Sequence, residues 1–231
     1  MTRLPFADEV RAVLFDLGNT LMCIDHARLA AALVEAGHAA DEAGMRHAEM
    51  RARPRVDAVL ATSARREGRE IVEMCARLFF SELDGRAPPR ASTAAFLGVW
   101  PSLWRSVPGD ARPTLDALRG RGYRLAVVSN TPDGAALARL TAAGLADAFD
   151  FVVDSHEVGV EKPDPRIFAI AAHRLALPAA SCVHVGDLLS VDVAGARAAG
   201  MHAVLVDPME VWGEVGAPRI AALSDLLTRL R

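Results

Sequence analysis

The chain has 231 residues and a net charge of −3, with 52% hydrophobic and 24% charged residues; this suits one globular domain with an insertion, or two small ones, and excludes disorder, collagen and a disulfide miniprotein. The near-neutral balance offers no clustered basic surface for nucleic acid, and no apolar run approaches the roughly 20 residues of a bilayer span. Three scattered cysteines, Cys23, Cys75 and Cys182, are too few for a disulfide framework or a Cys-type zinc site. The amino-terminal MTRLPFADEV lacks an apolar signal core, so the expectation is a soluble, cytoplasmic protein without nucleic-acid or membrane partners.

In chain order, the apolar run 11–15 ends at Asp16 and reads as a buried parallel strand. From about Met22 to Val107 the chain offers Ala/Arg/Glu-rich helical segments and no convincing strand, punctuated by Pro54, Pro88-Pro89 and Pro101. This stretch is expected to be a helical insertion that covers the site and chooses the substrate. Beyond it, strands are expected over 124–128, 181–185 and 202–206, each delivering polar residues at its carboxyl end. Helical periodicity fills 111–120, 134–143, 165–175, 191–199 and 219–230. The alternation predicts an α/β, doubly wound Rossmann-like parallel sheet from residues 1–21 and 108–231, with an α-helical cap over 22–107. Ligands in such sheets sit beyond the carboxyl ends of the strands.

The composition also singles out residues. There are 25 arginines against one lysine, Lys162, and only two asparagines, Asn19 and Asn130. On that background lysine and asparagine are dispensable wherever arginine or aspartate would serve, so these three point to chemistry.

Four polar clusters stand out, three of them directly after predicted strands. Asp16-Leu17-Gly18-Asn19-Thr20 offers a carboxylate that could be a nucleophile, a metal ligand or a turn cap. Ser129-Asn130-Thr131 could cradle an anion or simply cap a helix. In Glu161-Lys162-Pro163-Asp164-Pro165, the ammonium could neutralise a transferring phosphoryl group, and Pro165 suits a first helical turn. Gly186-Asp187 through Asp192 places two carboxylates five residues apart, hard oxygen donors that suit Mg²⁺ better than zinc.

The order and spacing of Asp16, Ser129-Asn130, Lys162-Pro163 and Gly186-Asp187…Asp192 resemble the haloacid dehalogenase-like (HAD) hydrolase superfamily, subfamily with a helical cap after the first motif. The resemblance implies a Mg²⁺-dependent phosphatase acting on a small phosphorylated metabolite. Asp16 would form an aspartyl-phosphate. Thr20, Ser129 and Asn130 would hold the transferring group, and Lys162 would offset the negative charge. Asp16, the Gly18 carbonyl and Asp187 would bind the metal, with Asp192 binding it through water or orienting Lys162.

One position departs from that pattern. Family phosphatases usually carry a second Asp two residues after the nucleophile, as general acid and then base, and here Gly18 stands there. Asn19 tolerates left-handed backbone, so the loop is expected to keep its shape while the side-chain proton donor is lost. A lysine-free cap removes a Schiff-base mechanism of the phosphonoacetaldehyde hydrolase type. The alternatives are a catalytically weak phosphate- and Mg-binding regulatory protein and a 2-haloacid dehalogenase, against which the paired carboxylates Asp187 and Asp192 count. Asp25, His26 or His47 could replace the missing acid, and Arg46, Arg51, Arg53 and Arg55 could read a substrate anion or form a solvated helix face. Trp100, Trp104 and Trp212 are expected in the core. No feature separates a monomer from a homodimer.

Overall fold

Strand β1 (Ala12–Phe15) is apolar throughout because both of its faces are covered. Val13 and Phe15 join Leu115, Leu118, Val127 and Val185 on one side of the sheet, while Ala12 and Leu14 join Ala126, Val128, Phe168 and Cys182 on the other. The computed structural model describes residues 2–63 and 68–231. Met1 and residues 64–67, which fall within the expected core and cap ranges, lie outside the described residues.

The chain divides into two units, Met1–Met22 with Val107–Arg231, and Cys23–Ser106. After β1 come β2 (Cys23–Ile24), α1 (His26–Glu35), α2 (Glu42–Thr62), α3 (Arg69–Asp84), α4 (Arg90–Val99) and β3 (Trp104–Ser106). The remainder runs α5 (Ala111–Gly120), β4 (Arg124–Ser129), α6 (Ala136–Ala142), β5 (Phe151–Asp154), α7 (Ser155–Val158), α8 (Pro165–Leu175), β6 (Cys182–Gly186), α9 (Ala194–Ala198), β7 (His202–Val206), β8 (Arg219–Ile220) and α10 (Leu226–Arg229). Six strands form one sheet in the order β5-β4-β1-β6-β7-β8, with every pairing parallel. This is the doubly wound α/β architecture, and its order reverses at β1, which places Asp16, Ser129 and Asp187 at the carboxyl ends of adjacent strands.

Several expected elements differ. Phe151–Asp154 is an edge strand with no counterpart among the expected ones. The helix expected over 219–230 begins instead as β8, because Ile220 pairs beside Val206 on β7 and buries its side chain there; only Leu226–Arg229 is α-helical. The helix expected over 191–199 opens as a π-turn, Leu189–Val193, before α9.

The Cys23–Ser106 unit buries Leu29, Leu33, Met45, Phe79, Phe80 and Phe96 among its four helices. Contrary to expectation it also contains two strands, β2 and β3, paired antiparallel. Pro54 does not break α2. A proline removes one helical hydrogen bond, but Ala52, Arg53, Asp57 and Leu60 are buried around it, and this packing carries the helix through. Trp100 stacks on Phe96 with centroids 5.2 Å apart and meets Trp104 edge-on at 5.7 Å. All three tryptophans are half-buried, at the margins of the apolar clusters.

Candidate active site

Asp16 directly follows β1, its N–H held by the carbonyl of Val185 at 2.8 Å. The next residues close a tight loop in which the N–H of Asn19 reaches the carbonyl of Met22 at 2.7 Å and that of Met22 reaches Leu17 at 2.8 Å. Asn19 has φ +53°, the left-handed conformation its side chain tolerates. Thr20 is 2% exposed and its hydroxyl has no hydrogen-bond partner among the described residues, a buried polar group available to a ligand.

Lys162 joins the motifs. It is 2% exposed, and its Nζ donates to Asp16 Oδ1 at 2.5 Å and to Asp192 Oδ1 at 2.7 Å. Asp192 also accepts from the N–H of Leu188 at 3.0 Å and lies 3.1 Å from His184 Nε2. Two glycines permit this crowding: a Cβ on Gly186 would stand 2.3 Å from the Asp192 carboxyl carbon, and one on Gly195 would stand 2.8 Å from the Pro163 backbone.

These contacts separate the two carboxylates electrostatically. Burial pushes Asp16 up to about 6 against the pull of Lys162, and the nearby Asp192 adds to the rise. Asp192 is buried as well, yet Lys162 and His184 outweigh that penalty and hold it well below the usual carboxylate range. Lys162 lies above its ordinary value, since the two carboxylates overcome the cost of burial. Burial depresses His184 against the pull of Asp192, and because a carboxylate only accepts, it is Nε2 that donates across their 3.1 Å contact.

Asp16, Asp187 and Asp192 each offer an oxygen, all within 4.8 Å of one another, and all three residues are buried. Three carboxylates against one ammonium leave an excess of negative charge that a hard divalent cation would offset, and the all-oxygen donor set fits Mg²⁺. Asp192 is already occupied by Lys162, His184 and Leu188, which suits it to orienting Lys162 more than to direct ligation.

Asn130 differs from expectation. Its Nδ2 donates to the Lys162 carbonyl at 3.0 Å, and its Oδ1 accepts from the Lys162 N–H at 2.8 Å. The amide therefore holds the lysine's backbone, leaving Ser129, 2% exposed with only a 3.4 Å contact to the Asn130 carbonyl, as the hydroxyl available to an anion. His184 has no role in the motif reading; its signal was a lone histidine inside the apolar run 181–185.

In the Cys23–Ser106 unit, Asp25 caps α1 through the N–H of Arg28 at 2.9 Å, and His47 is exposed. His26 is buried 3.5 Å from Glu49. Arg46 and Arg55 are exposed and paired with Glu42 and Glu82, and Arg51 is exposed. Arg53 does not belong to that solvated face: it is 5% exposed and grips Glu49 at 2.7 and 3.1 Å.

The family described as haloacid dehalogenase-like hydrolase matches residues 10–200. A ribulose-1,5-bisphosphate 5-phosphatase of Halopiger xanaduensis is 39% identical over 126 residues, 53% of this chain and 53% of that protein. The chain spans about half the length of the curated relatives it matches. The crystal structure of a HAD phosphatase from Thermococcus onnurineus aligns with TM-score 0.59 and 30% identity over 95% of this chain and 97% of that one. That of a 2-haloacid dehalogenase from Pseudomonas syringae aligns with TM-score 0.57 and 28% identity, covering 96% and 98%. No helix among the described residues is long and apolar enough to cross a membrane.

Proposed function

The chain belongs to the haloacid dehalogenase-like hydrolase family, and from that premise we propose that it is a Mg²⁺-dependent phosphatase of small phosphorylated metabolites. The observation that carries the reading is the buried Asp16 carboxylate fixed by Lys162 beside Asp187 and Asp192. A passive phosphate binder has no use for a carboxylate aimed at phosphorus. The similarity to known phosphatases supports the same substrate class.

In this mechanism an Asp16 oxygen attacks phosphorus; the new O–P bond forms as the bond to the leaving oxygen breaks, giving an aspartyl-phosphate. Water then cleaves the acyl phosphate and returns Asp16. Lys162 keeps the nucleophile in place and offsets charge on the transferring group, while the Thr20 and Ser129 hydroxyls donate to its oxygens. Asp16, the Gly18 carbonyl and Asp187 are the residues that would hold Mg²⁺, with Asp192 behind Lys162. Bound there, the ion supplies Lewis-acid polarisation of the phosphoryl oxygens and favours the ionised form of Asp16. Gly18 offers no side-chain proton to the leaving group, so substrates whose leaving group departs as an anion, such as aryl and acyl phosphates, are favoured over alkyl esters.

Likeness to a 2-haloacid dehalogenase favours a second reading, in which Asp16 attacks carbon and displaces halide. Steady-state turnover of an aryl phosphate with Mg²⁺, beside halide release from a 2-chloroalkanoate and an Asp16→Asn control, separates the readings. Phosphate release abolished in the control supports the phosphatase. Halide release alone makes the chain a dehalogenase, and saturable phosphate binding without turnover makes it a binding protein.

A further inference from the structure

Asp154 is a buried carboxylate, 1% exposed, at the carboxyl end of the edge strand β5, and it belongs to none of the four motif clusters. In the parallel register of β4 and β5 it stands directly beside Ser129. Three donors converge on it. The Thr131 hydroxyl lies 2.6 and 2.7 Å from its two oxygens, the N–H of Ala136 lies at 3.1 Å, and the N–H of His156 at 3.0 Å.

The Thr131 side of this arrangement is itself fixed. Its N–H donates to Ser155 Oγ at 3.1 Å, and its hydroxyl oxygen accepts from the N–H of Gly134 at 3.1 Å. The segment that leaves Ser129 is thereby fastened at Thr131 and again at Ala136, on both occasions to Asp154. All three donors are neutral, and among the described residues no cation pairs with the carboxylate, so its desolvation cost is met by hydrogen bonds alone. An apolar residue of similar size would pack at lower cost but would leave those donors unpaired. Such a group is suited to holding a loop in one shape, as preorganised sites require of the residues behind them.

We propose that Asp154, acting through Thr131, is a positioning residue that shapes the Ser129–Thr131 loop to receive the phosphoryl group, an inference that rests on the phosphatase reading above. Asparagine at 154 would offer one acceptor oxygen and would turn an NH₂ toward a donor. Valine at 131 would keep the shape and remove the hydroxyl. Neither change touches the reacting atoms.

The test measures kcat and KM for an aryl phosphate, the inhibition constant of inorganic phosphate and the thermal midpoint in Asp154→Asn, Thr131→Val and Thr131→Ser. The expected result is that Asp154→Asn and Thr131→Val each raise KM and the phosphate inhibition constant about tenfold in folded protein, and that Thr131→Ser recovers most of that loss. Should Asp154→Asn not fold, Thr131→Val against Thr131→Ser carries the comparison. With an active wild type, unchanged KM and phosphate inhibition overturn the inference. So does a loss of activity that only follows the folded fraction, which is what a structural role would give. A wild type that neither turns over the ester nor binds phosphate overturns the phosphatase reading, and this inference with it.

Discussion

The side-chain amide of Asn130 pairs with both backbone polar groups of Lys162, donating to its carbonyl at 3.0 Å and accepting from its N–H at 2.8 Å. The only lysine of the chain is thus gripped at two ends: its backbone by the residue after β4, and its ammonium by Asp16 and Asp192.

Asn130→Ala removes both backbone bonds and frees the 162 segment to shift. Since misplacing a reacting group by about 1 Å can cost on the order of 100-fold, kcat for an aryl phosphate is expected to fall about 10- to 100-fold while KM stays within about threefold. The opposite split, a raised KM with kcat intact, would mean that the amide contacts the substrate anion itself.

Lys162→Arg tests whether a compact charge is required. The ammonium lies in a 2% exposed position between two carboxylates, with Gly195 admitting the neighbouring Pro163 at close range. A planar guanidinium is wider and directs its donors in a fixed fork. The variant is expected to lose at least about 100-fold in kcat although the formal charge is unchanged; wild-type turnover would show that charge alone suffices at this position.

Asp16 and Asp187 announce themselves because each directly follows an apolar strand, Asp192 by its spacing from Asp187, and Lys162 as the one lysine among 25 arginines, while the left-handed turn at Asn19 follows from the residue type. Asn130 stands out by its rarity, but the direction of its side chain depends on Lys162, 32 positions away. Asp154 is hidden for the same reason, since its partner Thr131 comes alongside only through the pairing of β5 with β4, whereas His184 is hidden because the turn that folds Asp192 back onto β6 leaves no mark in an apolar run. Arg53 misled in the other direction: one arginine among several on a helix looks solvated until the fold places that face inward.

The Glu49 and Arg53 pair sets an acid limit to stability. Burial alone would raise the Glu49 carboxyl, but Arg53 and His26 outweigh it and hold it below its ordinary 4.5. A depressed folded value means that the pair stabilises fully above the unfolded value and that this contribution drains away as pH falls through the folded one. Glu49→Gln takes from Arg53 the carboxylate it grips, and is expected to cost about 3 kcal/mol near neutral pH. Urea unfolding between pH 7 and 3 checks this. The gap between wild type and variant should be largest at pH 7 and should narrow below about pH 4.5; a gap independent of pH would remove the charge from the explanation.

Gly18 decides the leaving group. The turn from Leu17 to Met22 is already shaped by the Asn19 and Met22 backbone bonds and by the left-handed Asn19, so an aspartate at 18 has no conformational work to do there. What it adds is a carboxylic acid two residues from Asp16. An aryl oxide leaves without protonation, whereas an alkoxide at neutral pH needs a proton as the bond to phosphorus breaks, and general acid assistance is typically worth about 10² to 10⁴ in rate. Gly18→Asp is therefore expected to raise kcat for an alkyl phosphate by about 100-fold and to change aryl phosphate turnover by less than about threefold. The comparison is internal to each protein, since the ratio of the two rates cancels differences in folded fraction. An unchanged ratio would mean that the wild type already draws its proton from another group, and that the preference for good leaving groups is wrong.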